Sequence, residues 1–273
     1  IFILTLMMLF VGLEANAQGV EQRRPRILES PDSINVYYLY GNDGWGNVPK
    51  GWRVQQTLLR EATESDLEQT VLHSRTPAYR AMAYHALVAE RSDRCYDLLL
   101  RKLSDSSTFT VASGDVWFDY DVASFMLDVT LDSESSMFTK EQQRHVDSLI
   151  LFSDGLEHLD KYAPASRLKG MDVLYGRLRE LHLSGTPNLL PIIAEYRNED
   201  DIPMIIDALR EYSVGLDKQG LNTEGLEGDT NSALYAIIGW NDDAFIPALV
   251  VLRDYELSRR YLDYNRVKML FKV

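Results

Sequence analysis

The chain has 273 residues, 45% of them hydrophobic, and a formal net charge of -13 from 28 basic and 41 acidic side chains. That length and apolar content allow a substantial core in one or two domains, and an acidic chain with no basic stripe argues against nucleic-acid binding through phosphate neutralisation. The single cysteine, Cys95, excludes an internal disulfide framework, and its neighbours Tyr96, Leu98 and Leu99 are the setting of a buried thiol.

Residues 1–17 read as an export signal. Ile1 to Val11 is an apolar run too short to span a bilayer, and Ala15-Asn16-Ala17 supplies the small-x-small pattern of a signal peptidase site. The run lacks an initiator methionine and a basic start, so the signal reads as truncated. No cysteine follows for lipid anchoring. Export without disulfides and without an Asn-x-Ser/Thr sequon fits a bacterial periplasmic, secreted or cell-surface protein with no stable membrane anchor after cleavage.

Residues 18–52 contain Pro25, Pro31, Pro49 and a run of glycines, which break any helical period. An extended segment is expected over Ile34 to Tyr40, followed by the glycine-rich turn 41–47. Tyr37, Tyr38, Tyr40, Trp45 and Trp52 form an aromatic cluster with two readings, a cap over the first helix or a stacking site for a ligand; solenoids need such caps.

Helices are expected over 53–62, 64–74, 77–91 and 93–103, with Thr63 and Asp66 at capping-box spacing. Residues 104–120 switch to a period of two. Val116, Phe118 and Tyr120 alternate with Asp115, Trp117, Asp119 and Asp121, and Ser113-Gly114 offers a turn after Phe109-Thr110-Val111. This predicts a β-hairpin near 108–120 that buries Val116, Phe118 and Tyr120 and presents Trp117. Asp115, Asp119 and Asp121 lack the D-x-D-x-D-G loop and distal glutamate of a calcium site, so recognition by Trp117 and Asp119 is the better reading of this element.

Further helices are expected over 139–152, 154–161, 164–183, 187–197, 201–212, 230–239, 243–253 and 256–272, with a mobile glycine-rich loop over 214–228 as the best candidate hinge. The acidic turns Asn198 to Asp201 and Asn241 to Asp243 precede apolar runs, where side-chain capping explains them without a cation. In the final helix Leu257, Tyr261, Tyr264, Lys268 and Phe271 make a mostly apolar stripe with no polar cap after it, which suggests a piece of a longer array.

One skeleton returns along the chain. Pro77, Arg80, Ala83, Ala86 and Leu87 reappear 87 positions later as Pro164, Arg167, Gly170, Val173 and Leu174, and a third echo keeps Ala233, Ala236 and Ile237. A shift of 150 positions also places Asp93, Cys95 and Leu99 on Asp243, Phe245 and Leu249. Proline suits a first helical turn, and small residues three apart share one face where backbones approach closely. On these residues the chain resembles the HEAT-repeat family in its short P-x-V-R-x-x-A-x-x-A-L form. Tyr79 and Ser166 stand where that pattern has valine, and Glu227 and Thr230 replace proline and arginine in the third copy. The resemblance covers about half the chain. It implies an all-α superhelix of stacked helical hairpins over 53–273, carrying the small hairpin insertion, with a concave recognition face and no particular chemistry.

Catalytic signals are sparse. His73, His85, His145, His158 and His182 are scattered, no H-E-x-x-H or His-Glu step occurs, and G-x-S-x-G, Walker and G-x-G-x-x-G motifs are missing. No metal or other cofactor is expected. His85, within the best repeat copy, reads as a packed or surface helix residue before a ligand. The leading expectation is an exported scaffold that binds a protein or peptide, with Trp45, Trp52, Trp117 and Asp119 as binding residues. The alternative is a carbohydrate-active enzyme built as an α/α toroid, for which Asp115, Trp117 and Asp119 would be the first suspects.

Overall fold

The computed structural model describes residues 23–30, 34–41, 47–131, 137–219, 224–258, 267, 268 and 270. The export signal, Trp45, Tyr261, Tyr264 and Phe271 lie outside the described residues. The chain is mostly helical with a small three-stranded mixed sheet, and it divides into two compact units, one ending at Met137 and the other starting at Phe138. No helix among the described residues is long and apolar enough to cross a membrane.

The first unit holds α1 (Lys50–Glu61), α2 (Glu64–His73), α3 (Pro77–Ala89), α4 (Cys95–Lys102) and α5 (Val122–Leu131), with strands β1 (Val36–Tyr38), β2 (Thr108–Ser113) and β3 (Val116–Asp121). Helix α3 is its centre. Pro77 opens it, and Ala78, Tyr79, Ala81, Met82, Ala83, Tyr84 and Leu87 are all buried, so it packs on α2, α5, β1 and β2 rather than along one stripe. The small residues let those neighbours come close; overpacking such a site costs about 1–3 kcal/mol. Arg80 is buried too, with its guanidinium on the Ser74 carbonyl at 2.7 Å and on Asp105 at 3.0 Å. Before α1 the chain runs extended along α2. Thr63 and Asp66 form the expected capping box, and Asp66 also accepts from the Arg26 backbone and from Arg23, while the buried Leu28 donates its N–H to Thr70.

The extended segment does more than cap. β1 lies parallel to β2, and β2 pairs antiparallel with β3, so the expected hairpin becomes a sheet of order β1-β2-β3. Gly114, at φ 65°, leads the two-residue connection Gly114-Asp115, the glycine-first order of a II′ turn.

The second unit holds α6 (Lys140–Phe152), α7 (Tyr162–Leu168), α8 (Asp172–Leu183), α9 (Leu190–Ala194), α10 (Ile202–Gln219), α11 (Glu224–Trp240) and α12 (Ile246–Ser258). Leu151, Leu168, Leu178 and Ile193 belong to one core cluster, and Ile205, Leu234, Ile237, Phe245 and Leu252 to another. Three expectations fail here. Residues 154–161 form no helix: Gly155 turns the chain at φ 79°, and the buried Lys161 ammonium collects the carbonyls of Ile150 and Leu156 at 2.7 and 2.5 Å, which needs a loop wrapped around it. The helix expected over 164–183 breaks at Gly170, φ 85°, into α7 and α8. Conversely, most of the loop expected over 214–228 is helical, in α10 and α11. A glycine costs only about 1 kcal/mol in a helix, less than the burial of Ile205 and Leu209 before it and of Ala233, Leu234, Ala236 and Ile237 after it supplies.

A regularity ties the helix ends together. Arg91, Arg197 and Asn241 each adopt left-handed backbone, φ 55°, 50° and 56°. In each case the next residue's side chain, Ser92, Asn198 or Asp242, accepts an N–H two residues on and starts the following element. Around the last two the sequences align ungapped, with Ile202-Pro203 on Ile246-Pro247 and the buried Leu190, Ile193 and Ile205 on Leu234, Ile237 and Leu249.

Candidate functional site

Two of the residues singled out for recognition, Trp117 and Asp119, lie on the outer face of the sheet, whose inner face is fixed by packing. Tyr37 is buried there, its hydroxyl on His85 Nδ1 at 2.8 Å and its ring edge-on to Phe125 at 5.8 Å. Phe109 meets Phe125 at 5.5 Å and Tyr120 meets it at 5.8 Å. Burial raises the Tyr37 phenol well above its ordinary range and lowers the His85 imidazole, so both groups are held neutral in the core. His85 is thus a packed residue that supports β1.

The register puts Tyr38, Ala112 and Trp117 in one row on the outer face, with Thr110 and Asp119 in the next. Trp117 is 56% exposed and stands edge-on to Tyr38 at 6.3 Å. Asp119 is exposed and accepts from the Thr110 hydroxyl at 2.9 Å. Trp52 is half-buried on α1, with its ring closely over Gly41, where a Cβ would come within 2.9 Å of it. Gly51, next to it, leaves room for the Tyr38 ring, which a Cβ would approach to 2.5 Å. Trp117 and Asp119 therefore share one face with Tyr38, while Trp52 sits at its margin as part of the packing.

The expected division of β3 into a buried and an exposed side fails. Val116 and Phe118 are 46% and 48% exposed, nearly as open as Trp117. β2 anchors the hairpin through Phe109 and Val111, and on the inward side of β3 Tyr120, at its base, meets Phe125 of α5. Towards the tip, Val116 and Phe118 are about half exposed.

The two edges of the sheet differ. On β1, the buried Gln55 of α1 acts as a substitute strand: its amide donates to the Val36 carbonyl at 2.7 Å and accepts from the Tyr38 N–H at 3.1 Å. β3 is the other edge, and no described strand pairs with its outer side. Exposed edges are templates for an added strand, and acidic side chains along them oppose pairing with an identical edge. Nothing in the sequence pointed to Gln55, since a helical glutamine carries no periodicity signal.

Asp115, Asp119 and Asp121 gather no cation site. Asp121 caps α5 through the Ser124 N–H at 2.8 Å, and among the described residues no group of three histidine, cysteine or acidic side chains could hold a metal ion. Burial pushes the Cys95 thiol up to about 12, which leaves it protonated and unreactive. Compared with known proteins, the chain matches no family model, no curated protein and no solved structure.

Proposed function

We propose that the protein is an exported, HEAT-like helical scaffold that binds a protein or peptide partner, with the β3 edge and its Trp117, Tyr38 and Asp119 face as part of the recognition surface. The observation that carries this reading is the junction repeated at Arg91, Arg197 and Asn241. Helix pairs that repeat one closing geometry, a left-handed residue followed by a capping side chain, are consistent with a stacked array. The ungapped match between the last two has a spacing of about 44 residues, inside the range of HEAT-type units. Export rests on the apolar run and Ala15-Asn16-Ala17.

The enzyme alternative has less behind it. Two carboxylates facing each other about 5–9.5 Å apart are the working parts of most glycosidases. Asp115 instead lies in the exposed hairpin turn and Asp119 on the exposed strand β3, and none of the described cavities is lined by two carboxylates.

The test is comparative capture. Immobilised protein 18–273 and its Trp117→Ala variant are exposed to extract from the compartment into which the chain is exported. A discrete partner retained by the parent and lost by an equally stable variant is expected. Equal retention by both removes the β3 face from the site.

A further inference from the structure

The second unit contains a cleft of about 590 Å³ bordered by α7, α9 and α11, and Trp52, Trp117 and Asp119 are not among its described lining residues. We propose that this cleft binds a neutral, hydroxyl-rich ligand of the mono- or disaccharide class, independently of the β3 face. Its volume is in the range of about 300–1,000 Å³ typical of small-molecule sites.

The lining carries the argument. Tyr162 and Tyr235 are 43% and 58% exposed, and both border the cleft. Half-exposed tyrosines offer an apolar ring face with a polar tip, the complement of a sugar ring with its C–H face and peripheral hydroxyls. Asn188 and Asn231 add amides, each with two donors and an acceptor. No hydrogen bond among the described residues occupies either side chain.

Ser232 is the pointed observation. Only 4% exposed, it borders the cleft, yet its hydroxyl has no hydrogen-bond partner among the described residues. A helical serine ordinarily turns its hydroxyl back to the carbonyl four residues earlier, and Ser232 does not. A buried hydroxyl without a partner is costly, and a small adjustment of Ser232 at the cleft's border would bring it to a ligand hydroxyl.

Charge narrows the class. Among the described lining residues there is no lysine or arginine to neutralise a phosphate, sulfate or carboxylate. The carboxylate among the described lining residues, Asp160, already accepts the Tyr162 and Ala163 N–H groups, each at 3.1 Å. A neutral ligand remains.

The experiment is saturation-transfer NMR on protein 18–273 with maltose, cellobiose, lactose and N,N′-diacetylchitobiose, with glucose phosphate and a neutral tripeptide as controls. Transfer to at least one neutral disaccharide is expected, lost in Tyr162→Ala and in Tyr235→Ala. Ser232→Ala should weaken binding about five-fold, the loss of one hydrogen bond, with an unchanged or raised melting midpoint, a combination that a structural role would not give. Trp117→Ala should change nothing, so failure here is separate from failure of the scaffold reading. Silence from all four sugars, a stronger response to glucose phosphate or the tripeptide, or a response that survives both tyrosine variants overturns the proposal.

Discussion

The segments starting at Pro77 and Pro164 share a proline-to-arginine step and then part. In both, the arginine finds an aspartate: Arg80 pairs with Asp105 at 3.0 Å, and Arg167 grips Asp147 with two nitrogens at 2.9 and 2.7 Å, the Asp147 carboxylate being buried. After that, Ala83 and Leu87 continue as the buried seam of α3, whereas Gly170 turns out of the helix and Val173 stands 72% exposed. An ion pair needs only one well-placed residue at each end, while a packing seam needs every small residue in phase. One glycine with a positive φ is enough to end the likeness.

The largest effects expected from this comparison are at the shared half. Arg167→Ala should destabilise its unit by about 3–5 kcal/mol, because it leaves the buried Asp147 carboxylate without that partner; Arg80→Ala should cost less, because Asp105 keeps Lys102 and the Ser107 N–H. Chemical denaturation measures both. If Arg167→Ala costs under about 1 kcal/mol, its pair behaves as a surface pair and the two segments agree only in their letters.

The divergent half should separate them. Ala83→Leu is expected to cost about 1–3 kcal/mol by overpacking. Val173→Leu, at the skeleton position matching Ala86, should stay within about 0.5 kcal/mol of the parent, as exposed substitutions do. Equal melting midpoints for the two variants would show that α3 is not the seam it is taken for.

A smaller, pH-dependent effect belongs to the first pair. Burial alone would raise the Asp105 carboxyl, but Arg80, Ser107 and Lys102 together hold it below its ordinary 3.8. A depressed carboxylate contributes stability that is complete above its unfolded value and lost as pH falls through its folded one. The first unit should therefore weaken below about pH 4, and Asp105→Asn should flatten that acid limb while lowering stability at neutral pH. An unchanged limb would assign the acid sensitivity to other carboxylates.

Legibility followed the same division between point features and cooperative ones. The capping box at Thr63 and Asp66, the proline start of α3, the turn at Gly114 and the alternation of β2 and β3 are local chemistry, and all were readable from the sequence. The helix starts at Asn198 and Asp242 were legible as caps, but the left-handed residues before them were not. Two are arginines, a type that gives no turn signal, and only the ungapped match of Ile202-Pro203 with Ile246-Pro247 would have exposed the junction. The loop at 154–161 depends on where Lys161 places its ammonium, and the helical course of 214–219 and 224–228 on neighbours that outweigh glycine; both are decided by tertiary contacts. At the site, Trp117 was read as exposed and is, but how much of Val116 and Phe118 is covered depends on strand length against helix position, which periodicity does not contain.

The smallest expected effect is on stability at Trp117, and it marks how the first unit differs from a bare helical array. The sheet rests on α3 and α5 through Tyr37, Phe109 and Tyr120, not through β3's tip. Phe109→Ala should cost about 3–5 kcal/mol, since that ring is 2% exposed. Trp117→Ala removes a ring that meets Tyr38 on an open face, so about 0.5 kcal/mol or less is expected, with any contribution from the Tyr38 edge contact as the upper part of that value. A large exposed aromatic that contributes little to folding is free to serve recognition. If melting shows Trp117→Ala approaching the loss at Phe109→Ala, the outer face is a structural seam, and partner capture has to be sought elsewhere on the unit.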